Sequence, residues 1–284
     1  MKIRIGKILD ELYILRLEDE ETKYFEALWR IPEGVTYNAY LLLGEENVLF
    51  DTWKHTYSRE FLQALSKVVD VKDVDYIVVH HAEPDHSGVL PRLLEKNPNI
   101  KVICNPLAKR LLESFYNVKF RTRLVKDNER IRVGGRSLRF IYTPWLHWPE
   151  TMMTYYEEER ILFSCDAFGG FSIPQGLCDD DGVPEAYWRS TRKYLVSIVG
   201  HYREWILKNI EKIRGLGLNV EIIAPSHGLV FKKDPGKIIE YYARIAEGKA
   251  TPGKATVIYS SMYGFVEKAI KNWLKGLSLK ALNQ

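Results

Sequence analysis

The sequence predicts a layered α/β fold, two mixed β-sheets flanked by helices, and three observations carry that expectation. Short apolar runs of β type recur in both halves of the chain. Stretches with apolar residues three or four apart, the helical period, fall between them. Residues of metal-binding type gather where predicted strands end, which is where α/β folds place their chemistry.

Taken in order, KIRIG, LYILRL, TYNAYLLLG and NVLFDT read as strands separated by turns. SREFLQALSKVV follows as a helix, its apolar face built from Phe61, Leu62, Leu65 and Val68. DYIVVH has the pattern of a buried strand, and SGVLPRLLEKN starts a helix. KVIC, the helical LAKRLLESF, and the strands FRTRLV, LRFIYT, MMTYYE and ILFSC continue the alternation. From Pro184 to about Arg214 the pattern is helical; VEIIAPS then gives a strand and PGKIIEYYARIAEG a helix. No repeat of solenoid length is present. The polar GKATPGKATVIYSS, with two Gly and a Pro ahead of a fresh apolar strand, marks a break. The expected organisation is a main domain over 1–250 and a short module over 251–284.

Composition narrows the function classes. The 284 residues suffice for a large core, and 46% hydrophobic with 27% charged residues is ordinary for a water-exposed globular chain. MKIRIGKILDELYIL mixes charge into its apolar pattern, so no signal-peptide core is expected. Nowhere do about 20 apolar residues run together, so no membrane span is expected. Cys104, Cys165 and Cys178 are scattered and form no C-x-x-C pair, which argues against a disulfide framework and fits a reducing cytoplasm. The net charge of +4 is spread along the chain, apart from a lysine-rich end, and predicts no nucleic-acid partner.

VVHHAEPDHSGVL carries the densest chemistry. In an extended strand residues i and i+2 point the same way, so His81 and Glu83 can approach one ion together. Pro84 holds the chain extended at Glu83. Asp85 and His86 then fall at the turn into a helix that starts near Ser87 and Gly88, aimed at a second position. The competing reading is a polar loop in which Asp85 or Ser87 caps that helix. His147 in YTPWLHWP, Asp166 in ILFSCDAFGG and His227 in EIIAPSHG each stand on a turn closing a strand. Singly, each is the kind of residue that turns use for their own hydrogen bonds. Together they form a pattern of successive strand ends. His55, His80 and His201 receive a structural reading, His80 because alternation turns it away from His81.

H-x-E-x-D-H, TPxxHWP, LFSxDAFG and APSHG, in that order over about residues 30–232, resemble the flavo-diiron proteins. These are a redox branch of the metallo-β-lactamase superfamily, and GVTYNAYLLLG with LFDT is similar to that family's opening strands. The resemblance implies a metallo-β-lactamase-like αβ/βα four-layer sandwich. It also implies two iron ions, although zinc can load such a site on isolation. His81, Glu83 and His147 would bind one iron, Asp85, His86 and His227 the other, and Asp166 would bridge them. In some family members the histidine equivalent to His86 stands off its metal. The superfamily's hydrolases have H-x-H-x-D-H; Glu83 replaces the second histidine with a harder, anionic oxygen donor that suits iron.

The implied activity is reduction of oxygen to water, of nitric oxide to nitrous oxide, or of both. Electrons would come from a separate flavoprotein or another redox partner, with a donor such as rubredoxin. Trp145, Trp148 and Phe168 are candidates to line a dry pocket. Two departures stand out: DAFGGF has Phe171 where many members carry histidine, and Tyr194 corresponds to the single tyrosine retained behind the ligands. ATVIYSSMYGFVEKAIKNWLKG resembles the first strand, phosphate loop and helix of a flavodoxin domain, a loop type that cradles a phosphate on free backbone N–H groups. One strand and one helix cannot form the FMN pocket, so FMN is not expected in this chain alone. The apolar stripe Val266, Ala269, Ile270, Trp273, Leu274 and Leu277 predicts a homodimer or a separate flavodoxin-like subunit. The alternatives are a hydrolase with a dinuclear zinc site and a non-catalytic metal-binding subunit.

Overall fold

Two large sheets divide the strands of the chain's larger unit by their order in sequence, apart from a separate two-stranded ribbon of residues 24–25 and 29–30. The computed structural model describes residues 1–249, 252–253 and 255–281. The chain divides into two compact units, Met1–Glu247 and Gly248–Gln284.

In the first unit the elements are β1 (Lys2–Lys7), β2 (Leu12–Asp19), β3 (Tyr24–Phe25), β4 (Trp29–Arg30), β5 (Val35–Leu42), β6 (Asn47–Phe50), α1 (Ser58–Leu65) and β7 (Val74–Val78). Then come α2 (Pro84–Ser87), α3 (Leu90–Lys96), β8 (Lys101–Cys104), α4 (Pro106–Tyr116) and β9 (Arg121–Leu124). The second half holds β10 (Glu129–Val133), β11 (Arg136–Tyr142), β12 (Met152–Tyr156), β13 (Ile161–Cys165), α5 (Glu185–Tyr194), α6 (Arg203–Gly215), β14 (Ile222–Pro225) and α7 (Pro235–Glu247). The first sheet runs β1-β2-β5-β6-β7-β8-β9 and the second β10-β11-β12-β13-β14. Pairings from β1 to β6 are antiparallel, and those from β6 to β9 are parallel. Each parallel step needs a crossover, supplied by α1, by α2 with α3, and by α4. The second sheet is antiparallel until β13 meets β14 in parallel, across α5 and α6.

Alternation along the strands builds the layers. Leu42, Phe50, Val78 and Ile103 of the first sheet share a core with Leu138, Phe140, Ile161 and Phe163 of the second. Phe50 and Phe163 stack there with ring centroids 4.0 Å apart. The opposite faces, through Leu41, Leu49 and Ile77 or Ile141, Leu162 and Ile223, pack with the helical residues Phe61, Leu93, Leu112, Ile210 and Ile238. Helix, sheet, sheet and helix therefore stack as the predicted four-layer α/β sandwich.

Several local expectations are corrected. β10 comes from ERIRV, whose charged residues hide a strand that pairs with β11 through the Gly134–Gly135 turn. The helical turn α2 begins at Pro84, before the predicted start near Ser87, because proline's fixed φ suits a first helical position. The helix beginning at Ser58 ends at Leu65, short of Val69. The Pro184–Arg214 stretch is broken after Tyr194 by a widened, π-type turn over Leu195–Val199. In the second unit, α8 (Phe265–Ala281) forms, with Glu267 and Lys271 paired one turn apart. Residues 255–260, read as a strand, are not one: a strand needs a hydrogen-bonded neighbour, and Ile258 is 92% exposed. The predicted 250/251 boundary falls outside the described residues. Among the described residues, no helix is long and apolar enough to cross a membrane.

Candidate metal centre

β7 ends at Val78 and the chain bends at His80, and the two adjacent histidines meet opposite surroundings. His80 is fully used by protein partners: Nδ1 pairs with Asp51 Oδ2 at 2.7 Å and Nε2 with Thr154 Oγ1 at 2.8 Å. Neither nitrogen remains for an ion, in line with its structural reading. His81 turns the other way, with Nδ1 2.7 Å from Glu150 Oε1 and Nε2 3.1 Å from Glu83 Oε2. Pro84 opens α2, which places Asp85 and His86 in one buried helical turn. Ser87 does not cap α3; its Oγ lies 2.8 Å from Ala82 O and 2.9 Å from Glu83 O and fixes the loop that presents Glu83.

The second sheet brings the remaining three. His147 follows β11, Asp166 follows β13 beyond Cys165 at φ +53°, and His227 follows β14. Ligand-type atoms of His81, Glu83, His147 and Asp166 lie within 4.8 Å of one another, and so do those of Asp85, His86 and His227. His147 Nε2 is 3.1 Å from Glu83 Oε2 and 3.5 Å from Asp166 Oδ2. Across the carboxylate, Asp166 Oδ1 is 3.1 Å from both His86 Nε2 and His227 Nε2. Asp166 thus turns one oxygen to each group. All seven predicted residues meet at one place.

The donor set fits cations. Both oxygens of Asp85, Asp166 Oδ2, and the Nε2 atoms of His86, His147 and His227 are buried without a hydrogen-bond partner. Six such atoms converging in one cavity would be costly unless something positive stood among them. The outer nitrogens of His81 and His227 are meanwhile hydrogen-bonded, as those of metal-binding histidines usually are, and that of His147 faces a carboxylate beyond hydrogen-bond reach. His81 has Glu150, His227 Nδ1 is 2.6 Å from Thr36 O, and His147 Nδ1 is 3.8 Å from Glu26 Oε1. A third group, Asp51, His86 and Cys165, surrounds the inner side of His86.

Without metal, protons stand in for it. Burial pushes His81 down, but Glu150, Glu83 and Asp166 outweigh it and lift it to about 9. His147 rises against burial to about 10 through Asp166 and Glu83. Glu83 and Asp166 are held below the carboxylate range despite burial, by the facing imidazoles. Histidine pKa values raised above the unfolded value of about 6.5 stabilise the metal-free fold below that pH, and the contribution is lost as pH rises through 9 to 10. Metal must displace these protons. Adding Zn(II) to metal-free protein at pH 7 will release protons from His81 and His147, and from His86, whose pKa Asp166 and Asp85 also raise, read by calorimetry in buffers of different protonation enthalpy. Binding will tighten as pH rises, and binding without proton release would show the imidazoles to be neutral.

Aromatic rings wall the site. Trp148 packs edge-on against His81 at 5.0 Å, whereas Trp145 meets Tyr202 at a tilt at 5.1 Å and Phe168 meets Tyr242 edge-on at 5.2 Å. Phe25, which sequence did not single out, takes the wall position instead, 5.7 Å from His227 and 5.3 Å from Phe171. Tyr194 donates from its hydroxyl to Asp166 Oδ1 at 2.8 Å. A cavity of about 230 Å³ opens beside Glu83 and Asp85, bordered by Phe25, Glu26 and Lys54. Glu150, Glu26 and Phe25 were not legible as site residues, since nothing in their neighbourhoods separates them from ordinary loop residues.

A two-sheet sandwich with a paired histidine–carboxylate centre at the strand ends defines a protein of the metallo-β-lactamase-like class. Residues 35–228 match the family described as ODP family beta lactamase. The chain is 35% identical over 272 residues to a nitric oxide reductase of Moorella thermoacetica, covering 95% of this chain and 68% of that one. A flavo di-iron protein mutant from Thermotoga maritima superposes with a TM-score of 0.92 at 44% identity, over 98% of this chain and 70% of that one. The rubredoxin oxygen:oxidoreductase of Desulfovibrio gigas gives 0.84 at 34% identity, over 87% and 63%. The chain belongs to the flavo-diiron family.

Proposed function

We propose that this chain is a diiron oxidoreductase that reduces oxygen, nitric oxide or both, using electrons from a flavin-bearing or rubredoxin-like partner. One observation carries the reading: the two oxygens of a single buried carboxylate, Asp166, face two separate ligand groups. His81, Glu83 and His147 would hold one iron and Asp85, His86 and His227 the other. Two ferrous ions bound there would supply one electron each and adjacent open positions for a diatomic molecule.

The chain's own residues set the conditions for that chemistry. Three carboxylates, Glu83, Asp85 and Asp166, offset most of the charge of two divalent ions and favour hard cations. Phe25, Phe171 and Trp148 exclude water around the imidazoles and leave an opening beside Glu83 and Asp85. The buried Tyr194 hydroxyl, its pKa raised by burial and by Asp166, keeps its proton at neutral pH and directs it at Asp166 Oδ1. Glu26 holds a proton more readily than an ordinary carboxyl, because burial and the charge of Glu83 raise its pKa. Phe171 occupies, among Phe25 and Tyr194, the place that a polar proton donor would need.

The names of two relatives support the substrates, one a nitric oxide reductase and the other a rubredoxin-oxygen oxidoreductase. A flavodoxin-like subunit would bring the flavin, and the exposed Trp273 and Leu277 of α8 are where it, or a second copy of this chain, would make contact. Free Cys104, Cys165 and Cys178 fit the cytoplasm. The test is anaerobic loading with Fe(II), elemental analysis, and gas-electrode assays with a reduced flavoprotein. Iron in both positions with partner-dependent consumption of oxygen or nitric oxide is expected. Zinc alone with esterase activity would overturn the reading.

A further inference from the structure

Arg16 is completely buried in β2, and its hydrogen bonds all go to neutral acceptors. Nε donates to Asn38 Oδ1 at 2.9 Å and Nη1 to Gly176 O at 2.8 Å. Nη2 donates to Leu177 O at 3.0 Å and to Gly228 O at 2.6 Å. Burying a guanidinium is costly, and hydrophobic side chains of similar volume usually serve a core at least as well. What arginine adds is a rigid planar fork that fixes several acceptors at once. Here those acceptors belong to three segments, and one is the carbonyl next to His227.

The turn that carries His227 is tied to the first sheet by several hydrogen bonds, besides those from Ser226 N to Cys165 O and from Leu229 N to the Tyr187 hydroxyl. Asn38 Nδ2 donates to Pro225 O at 2.9 Å and to Gly228 O at 3.1 Å, and Asn38 N donates to Ser226 O at 2.8 Å. Thr36 acts twice: its carbonyl receives His227 Nδ1 at 2.6 Å, and its hydroxyl accepts from Gly228 N at 2.7 Å. Gly228 sits at φ +82°, and a Cβ there would strike the Tyr187 hydroxyl, so the turn has one close-packed form. The imidazole of His227 is therefore aimed by groups on β2 and β5, strands of the opposite sheet. Apart from the shared Asp166, whose Oδ1 lies 3.1 Å from His227 Nε2, the ligands of the first metal position make no hydrogen bond to this cluster among the described residues: His81 is oriented by Glu150, and Glu83 is presented by the Ser87 loop.

We propose that Arg16, Asn38 and Thr36 form a positioning clamp that aims His227 and sets the affinity of the second metal position separately from the first. The clamp rests on the two-metal reading above. Its consequence is unequal metal binding when the clamp is damaged. Outer-shell partners of metal ligands typically govern about 10–100-fold in affinity.

The experiment titrates the full chain, metal-free, with Zn(II) by calorimetry, comparing wild type with Arg16→Met, Thr36→Val and Thr36→Ser. Arg16→Met and Thr36→Val should weaken the second equivalent by about 10–100-fold and leave the first within about threefold. Thr36→Ser retains the hydroxyl acceptor for Gly228 N and should titrate as wild type. If Arg16→Met fails to fold, the isosteric Thr36→Val decides the matter alone. Equal weakening of both equivalents, or no change in either, overturns the clamp. A wild-type protein that binds only one equivalent would instead sink the two-metal reading.

Discussion

Replacing Asp166 with alanine will empty both metal positions while leaving the sandwich folded. The carboxylate contributes to each: Oδ2 lies 3.5 Å from His147 Nε2 and 3.7 Å from His81 Nε2, and Oδ1 lies 3.1 Å from His86 and His227. No other described side chain reaches both groups, so its loss also removes the charge that holds the two cations close together. After anaerobic reconstitution, iron should fall from two per chain to less than one. Consumption of oxygen or nitric oxide should fall by at least about 10³-fold, the upper range for removing one preorganised electrostatic group. Circular dichroism should be unchanged, because Asp166 lies beyond the end of β13 and outside both apolar layers. Full occupancy with undiminished turnover would show that the two groups do not share this bridge.

The second large effect is expected from Glu83→His, which restores the H-x-H-x-D-H pattern. Glu83 Oε2 stands 3.1 Å from both His81 Nε2 and His147 Nε2. A third imidazole there removes one negative charge from the first position and exchanges a hard oxygen donor for a softer nitrogen. In competition between Fe(II) and Zn(II), the variant should retain a larger share of zinc than wild type. Reductase turnover should drop by about 10²–10³-fold. The metal-free protein offers an independent measurement. Without the carboxylate, His81 and His147 lose part of what lifts them to about 9 and 10, so both imidazoles should titrate lower by NMR. An unchanged metal preference, with turnover retained, would remove Glu83 from the account of what sets this site apart from a zinc hydrolase.

Sequence carried the centre further than it carried the fold's details, for a physical reason. Ligand residues at strand ends are few, chemically distinct and packed into short motifs, so His81, Glu83, Asp85, His86, His147, Asp166 and His227 stand out in sequence, and the family resemblance divides them between two positions. Their supports are not of that kind. Glu150 reaches His81 from 69 positions away, and Thr36 serves His227 from 191 away through a main-chain oxygen that carries no side-chain signature. Local pattern failed where tertiary context decides. ERIRV looks too polar for a strand but finds a partner in β11. ATVIYSS looks apolar enough for one but has no strand pairing in residues 255–260. Tyr194 was placed by family likeness and lies where the hydroxyl can reach Asp166. Phe25 came from a two-residue strand too short to predict.

The division of the ligands between the sheets has a bearing on biosynthesis. Strand ends of the first sheet supply His81, Glu83, Asp85 and His86, and those of the second supply His147, Asp166 and His227. As the chain leaves the ribosome, the first position is complete in sequence once Asp166 has emerged. The second waits for His227, which is useful only after β14 has docked beside β13 and under β5. The second position is thus the later of the two to be completed in sequence. Because each position draws ligands from both sheets, either ion can be held only once the sheets have come together, which ties metal binding to closure of the sandwich.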